Sequence, residues 1–545
     1  MELNKSTIKD FKKKIKSVVN AFEREVGEVL LKLIGEINLF PVNFYYHKNI
    51  KLENDSFIPD FAIEVLSGND RHLIFIELKK YTQMNYALLP QLEKFYRQIS
   101  KFKTQDIYKE YIVHPLFVVD CEDDLTPELI NMASKYDIQI YKESVFEELD
   151  DLITNINPQY GFLDFLKNKF NIMVQYDPKY IEKIALQNTT FKANILTFNM
   201  TARELLKLAY VYRANIYDDN GFRYQRLING DRLNDIKKFI LTKNFESVFS
   251  NNIICNFAEE SQCNVLDTEN AGIKKIQFEN KYSTLWIIDG QHRLFSFSKL
   301  ANSEEKLLDE YSFTVTAYKT IKKSDQAKIF FYINDEQTGI NANLVCYILS
   351  QLKEDKNGAA ASIALMLENM GVFRSKIYRG ITRDGGYKKT WLNLKTFVDN
   401  LSPSNNLKTP DDNLVGWEGE GRGWLQQHHT DLDTPAEILS IFFENVKDKF
   451  ISDWNKNRDS FVQNNAGIAV MLKLMLRILN KYCSYSNPEG VLRFAQKNNF
   501  GKYLNRFNKK INAKIKGLEI DEWRYSRNKS HYNKIVEFMW DDINS

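Results

Sequence analysis

Two apolar segments, FIPDFAIEVL at 57–66 and HLIFIEL at 72–78, read as strands parted only by the turn residues Ser67-Gly68-Asn69-Asp70. A turn this short predicts an antiparallel hairpin. Upstream, Ile8, Phe11, Ile15, Val18, Val19, Phe22, Val26, Val29, Leu30 and Leu33 recur at steps of three and four, which predicts one amphipathic helix. A strand is expected at 42–50. Downstream come a helix at about 85–103, a buried strand at 112–119, a helix at 127–136, a short strand at 138–141 and a helix at about 144–153. The order α-β-β-β-α-β-α-β predicts a small mixed sheet covered by helices.

The chain has 545 residues, too many for one core; at roughly 150 residues per domain the prior is three or four units. Residues 1–153 form the first. Residues 154–189 carry Asn-Pro, Tyr-Gly and Asp-Pro breaks and read as a connector. A second unit is expected over 190–345, with strands at ILTF, 251–257, 284–288 and 311–318 and helices at 201–212, 231–241 and 323–333. From 346 to 545 helical patterns dominate. The fold class is α/β and α+β multidomain.

Composition narrows function little. Lys plus Arg is 74 against 71 for Asp plus Glu, so any basic surface must be local. Hydrophobic residues at 43% exclude disorder. None of the five cysteines sits in a C-x-x-C pair, so neither a zinc ribbon nor a disulfide framework is supported, and reduced thiols in a cytoplasm fit better. No run approaches eighteen apolar residues, so no membrane association is expected.

Chemistry enters at Asp60 and at Glu77-Leu78-Lys79. Hairpin neighbours can place Asp60 and Glu77 on one sheet face, and Glu77 and Lys79, two apart in a strand, point the same way. Two carboxylates suit Mg²⁺ or Mn²⁺, and an ammonium beside them suits charge building up on a scissile phosphate. The same residues also read as a surface salt bridge beside a hairpin.

Asp60 followed seventeen positions later by Glu-x-Lys, on this order of elements, resembles the PD-(D/E)xK nuclease superfamily of restriction endonucleases, RecB-type nucleases and Holliday-junction resolvases. The resemblance covers about 8–153. It implies a restriction-endonuclease-like fold and metal-dependent DNA hydrolysis, with Asp60 and Glu77 as metal ligands and Lys79 as catalytic partner. Many members add a Glu from the first helix. Glu23 and Glu25 flank the apolar stripe on opposite edges and Glu28 falls opposite; the F-E-x-x-V pattern favours Glu23, which also reads as an ordinary helix-edge carboxylate. Gln91 resembles the helical Gln of RecB-type members more weakly.

A second constellation follows the strand LWII. The strand breaks at Asp289-Gly290 and restarts as a helix carrying Gln291, His292 and Arg293. Glycine lets the backbone approach a ligand, and a helix start with a basic pair suits phosphate. There is no Walker A loop. Asp289 to Arg293 spells the signature of DGQHR-domain proteins, which include the DndB-type proteins of DNA phosphorothioate systems. Tyr224-Gln225-Arg226, Asn251-Asn252-Ile253-Ile254 and Phe331-Tyr332-Ile333-Asn334 look like further motifs of that group. The group is similar to the ParB/sulfiredoxin fold, whose G-x-x-R loop binds nucleotide phosphates. Gly290 to Arg293 fits that pattern, whereas Gln291 stands at sulfiredoxin's cysteine position. The resemblance implies binding of ATP, another NTP or DNA phosphate, with Gln225, Arg226 and Asn334 as second-tier site residues. The residues alone are equally read as Asp289 capping the helix and Arg293 pairing with a carboxylate.

Two weaker signals complete the reading. His428-His429 near Asp431 and Asp433 lack a metal-binding frame and read as an exposed loop. Residues 502–530 are basic with Tyr503, Phe507, Trp523 and Tyr525 interleaved, which suits either DNA contact or a solvated helix pair. The expectation is a metal-dependent endonuclease gated by nucleotide or DNA recognition, serving bacterial defence. A DNA-binding regulator with a silent nuclease fold, or an NTPase sensor, is the alternative. DNA, a nucleoside triphosphate and a modification-system protein are the expected partners; self-association is left open.

Overall fold

The computed structural model describes the chain apart from residues 1–4, 19, 48–49, 53–54, 82–86, 122–124, 191–192, 214–224, 226–227, 243–248, 250, 271, 301, 320, 338–340, 353–355, 371, 374–375, 381–390, 403–413, 416–423, 426–430, 457–459, 484–486, 506–534, 538–539 and 541–545. It falls into two compact units, the first holding Met1–Tyr212 and Ile228–Lys322, the second Lys323–Ser545 together with Arg213 and Gln225.

The first unit opens with α1 (Lys5–Lys16) and α2 (Ala21–Leu31) where one helix is predicted. The apolar spacing runs through both, so the period conceals the break. Asn20 makes it: its side chain accepts from the N–H groups of Phe22 and Glu23 and starts a new helix. Lys12, Lys13, Lys14 and Lys16 are exposed on α1, while Phe11 and Ile15 are buried.

Then come β1 (Val42–Tyr46), a small hairpin of β2 (Ile50–Leu52) and β3 (Asp55–Phe57), β4 (Phe61–Ser67) and β5 (Asp70–Lys80). They are followed by α3 (Leu88–Lys103), β6 (Tyr111–Asp120), α4 (Pro127–Lys135), β7 (Gln139–Lys142) and α5 (Ser144–Asn155). The sheet order is β1-β4-β5-β6-β7, antiparallel through β1, β4 and β5 and parallel through β5, β6 and β7. Pro59 stands between β3 and β4, and the segment predicted as one strand over 57–66 is interrupted there. Both faces are covered. Ile74, Ile76 and Leu78 join the core of Phe22, Val26 and Leu30, and the alternate residues Leu73 and Phe75 join that of Leu92, Phe95 and Ile99.

The predicted connector at 154–189 is not one. It holds α6 (Pro158–Phe170) and most of β8 (Gln175–Thr190). Of its apparent breaks only Asn157-Pro158 is a helix boundary, where Asn157 caps α6 by accepting from the Gln159 N–H and Pro158 occupies the first turn; Tyr160-Gly161 lies inside α6 and Asp177-Pro178 inside β8, and the helix ends at Asn171 in the left-handed conformation at φ 53°. α6 is buried on every side. Phe162 packs against Phe40 and Phe44 beneath the first sheet, while Asp164 accepts from the Tyr282 hydroxyl of the second.

The second sheet adds β9 (Ala193–Thr201), β10 (Ala209–Tyr210), β11 (Ile253–Phe257), β12 (Cys263–Asp267), β13 (Ile273–Lys281), β14 (Leu285–Asp289) and β15 (Ser312–Tyr318). Its order is β10-β14-β11-β15-β9-β8-β13-β12. Helices α7 (Ala202–Leu208), α8 (Gly230–Leu241), α9 (Gln291–Ser296) and α10 (Leu307–Glu310) accompany it. β8, β12 and β13 are additions to the predicted elements. One continuous core of buried residues, from Phe11 to Ala317, serves both sheets.

The second unit begins at Lys323, earlier than the predicted 346, and its α11 (Lys323–Gln337) packs on α12 (Ala342–Leu352). It continues with α13 (Lys356–Asn369), the two-residue strands β16 (Ile377–Tyr378) and β17 (Leu392–Asn393), then α14 (Leu394–Leu401), α15 (Asp433–Lys449), α16 (Ile451–Trp454), α17 (Asn465–Tyr482) and α18 (Pro488–Gln496). Among the described residues no helix is long and apolar enough to cross a membrane.

Phe162 fills the space between α6 and the first sheet and is fully buried. Phe162→Ala is expected to destabilise the protein by about 3–5 kcal/mol. Chemical denaturation checks this; a loss below about 1 kcal/mol would show that α6 does not belong to the core.

Candidate functional site

The hairpin register sets the first group of polar side chains. Tyr46 pairs with Phe61 and Phe61 with Ile76. One step on, His47, Asp60 and Glu77 follow one another across the ends of β1 and β4 and along β5. The His47 N–H donates to the Asp60 carbonyl at 3.1 Å. Asp60 Oδ2 accepts from the Leu78 N–H at 2.7 Å, which fixes the carboxylate beside Glu77. Lys79 Nζ donates to Glu77 Oε1 at 2.6 Å and to the Leu78 carbonyl at 3.1 Å. The predicted trio therefore converges.

Glu23 joins it from the first turn of α2, where the Asn20 cap places it. It is buried, and its Oε1 lies 2.8 Å from His47 Nε2; the same nitrogen is 3.5 Å from Asp60 Oδ1. Donor atoms of Glu23, His47 and Asp60 all lie within 4.8 Å of one another. Glu77 stands outside that trio, engaged by Lys79. His47 escaped sequence analysis because a single histidine after a strand carries no spacing signal. Lys94 of α3 escaped too, although its charge acts on Glu77. Lys80 pairs with Asp120 at 2.7 Å away from the site. Gln91 lies in the first turns of α3, half-buried.

Burial pushes the Glu77 carboxyl above its usual range; the Asp60 charge adds to this, against the pull of Lys79 and Lys94. Burial and the Glu23 carboxylate likewise push the Tyr46 phenol up. An anion-crowded pocket of this kind is what a cation relieves.

The second predicted group has a different character. Gly290, between β14 and α9, has φ 96°, a backbone that L side chains rarely adopt. A Cβ there would stand 2.5 Å from Ile253 Cδ1. Arg293 donates through Nη2 to Asp289 Oδ2 at 2.9 Å and through Nη1 to the Asn251 carbonyl. The guanidinium thus ties the turn to the start of β11. His292 Nε2 accepts, at 3.5 Å, from the N–H of Asn229, the cap of α8. Gln291 is buried. These contacts hold the turn in place, and a phosphate would have to displace Asp289 or Asn251 to gain both arms of Arg293. Gln225 is buried and bridges Arg213 in the second unit. Arg226, His428, His429 and most of the basic stretch 502–530 lie outside the described residues. Asn334 is on α11, with its side chain outside them.

Residues 184–376 match the DndB family, described as DNA-sulfur modification-associated. The match includes the DGQHR turn and extends into α13 of the second unit. No curated protein matches the chain. A solved structure of the pNOB8-like ParB N-domain is similar over 57% of this chain and 99% of that one, at 15% identity and a TM-score of 0.20; so low a score carries no argument.

A carboxyl raised in the folded chain costs stability once ionised. Its favourable contribution is complete below the unfolded value and is lost as pH rises through the folded value. Glu77→Gln is therefore expected to raise the thermal midpoint at neutral pH, with the gain gone below about pH 4. Melting curves at acid and neutral pH check the sign; a lower midpoint at neutral pH would contradict it.

Proposed function

We propose that this protein is a metal-dependent deoxyribonuclease acting within a DNA-modification system. The observation that carries the proposal is the convergence of Asp60, Glu77, Lys79 and Glu23 from three separate elements. The order of strands and helices around them supports the same reading, since it is the one the PD-(D/E)xK resemblance implies. The DndB match supports an association with modified DNA and makes DNA the partner of choice.

The donor set fits a hard divalent cation such as Mg²⁺ or Mn²⁺. Leu78 holds Asp60 Oδ2, Oδ1 lies with the Glu23 carboxylate and the His47 imidazole, and Glu77 would add an oxygen from β5. Such a cation supplies Lewis-acid polarisation of a scissile phosphate. The chain itself does the rest. Lys79 presents an ammonium beside Glu77, where it can steady an incoming hydroxyl or the phosphate oxygens as charge grows on them. Downstream, the DGQHR segment acts as the sensor of DNA state; to take a nucleoside triphosphate, Arg293 would have to release Asp289 within its own turn.

Asp60→Ala and Lys79→Ala are each expected to slow plasmid cleavage by about a hundredfold or more. Their far-UV spectra should match the wild type, since neither side chain belongs to the apolar core. Cleavage by both variants at the wild-type rate would place the chemistry elsewhere.

A further inference from the structure

The closest approach among the Glu23, His47 and Asp60 donor atoms involves an imidazole. His47 Nε2 stands 2.8 Å from Glu23 Oε1 and 3.5 Å from Asp60 Oδ1, so one nitrogen and two carboxylate oxygens face a common point. Three features hold the ring there. The backbone of His47 is tied to Asp60 through its N–H. Its φ is 43°, in the left-handed region, which turns the side chain out of the strand's alternation. Tyr46 stacks on one ring face, with centroids 4.1 Å apart and planes 19° from parallel. The ring is 45% exposed, whereas Glu23 and Asp60 are 12% and 20% exposed, so the trio opens to solvent on the imidazole side.

We propose that His47 Nε2 is a metal ligand, and that with Glu23 and Asp60 it makes a site selective for a transition ion of the Mn²⁺ class over Mg²⁺. The inference rests on the metal-dependent reading above. Mg²⁺ prefers oxygen and water and dehydrates reluctantly, whereas an imidazole nitrogen favours the first-row transition ions. Three donors on three elements also leave open positions for water and a phosphate oxygen. A plain ion pair between an imidazolium and two carboxylates would produce similar distances, and the two are separable because only the metal ligand places nitrogen next to the ion.

The test is Mn²⁺ binding by the full-length protein, followed by electron paramagnetic resonance, with pulsed spectra to detect coupling of the bound ion to ¹⁴N. The expected result is Mn²⁺ binding that Asp60→Ala abolishes, a ¹⁴N coupling in the wild type, and its loss in His47→Gln. Affinity should fall in His47→Gln by at least the roughly tenfold that even outer-shell partners contribute. In His47→Asp, with a third carboxylate in place of nitrogen, Mg²⁺ should displace Mn²⁺ at lower concentration than in the wild type. The wild-type spectrum needs no variant, so a misfolded substitution does not blunt the test. Mn²⁺ bound through Asp60 without ¹⁴N coupling, and with unchanged affinity in His47→Gln, would overturn His47 as a ligand while leaving a carboxylate site. Failure of the wild type to bind Mn²⁺ at all, or binding indifferent to Asp60→Ala, would overturn both this inference and the metal-dependent reading.

Discussion

The proposed site depends on one register: Phe61 opposite Ile76 in the β4–β5 hairpin. With that pairing Asp60 stands beside Glu77, and the Leu78 N–H becomes the donor that fixes the Asp60 carboxylate. A slip of one residue would send one carboxylate to the opposite face. The register is held because both faces are buried. Ile74, Ile76 and Leu78 have partners on α2, and Leu73 and Phe75 have partners on α3, so each alternative pairing would drive apolar side chains out of their cores. Apolar packing thereby holds three like-charged side chains near one another.

The second constraint is α6. It is apolar on most of its circumference because it lies between two sheets, and no solvated face is left. Asn157 donates to the Ser298 carbonyl, and Lys299 donates to the Thr154 carbonyl, so the segment that follows α9 is bound to the one entering α6. The two sheets consequently share a core. A sensor of the kind proposed for the second sheet would have a packed route to the first, and not a hinge through 154–189.

Much of this was legible in the sequence. Asp60, Glu77 and Lys79 were found because strand alternation and a short turn translate spacing into proximity. The break at Asn20 was not, since apolar periodicity continues across it. Asn157-Pro158 misled because the same pair that marks a loop also starts a helix. β12 and β13 eluded the period because each carries few apolar residues, and much of β12 is exposed. His47 required tertiary structure, as only folding brings Glu23 of α2 to the end of β1. For Arg293 the residues left phosphate binding and an internal ion pair open, and the geometry shows the ion pair with Asp289.

The central claim is that this arrangement of carboxylates and lysine cleaves DNA with the help of a divalent cation. The most direct measurement is incubation of the purified full-length protein with supercoiled plasmid, modified and unmodified, in Mn²⁺, in Mg²⁺ and in chelator. The account predicts nicked or linear product with a cation and none in chelator. Intact plasmid under every condition, or cleavage that persists in chelator, would contradict it.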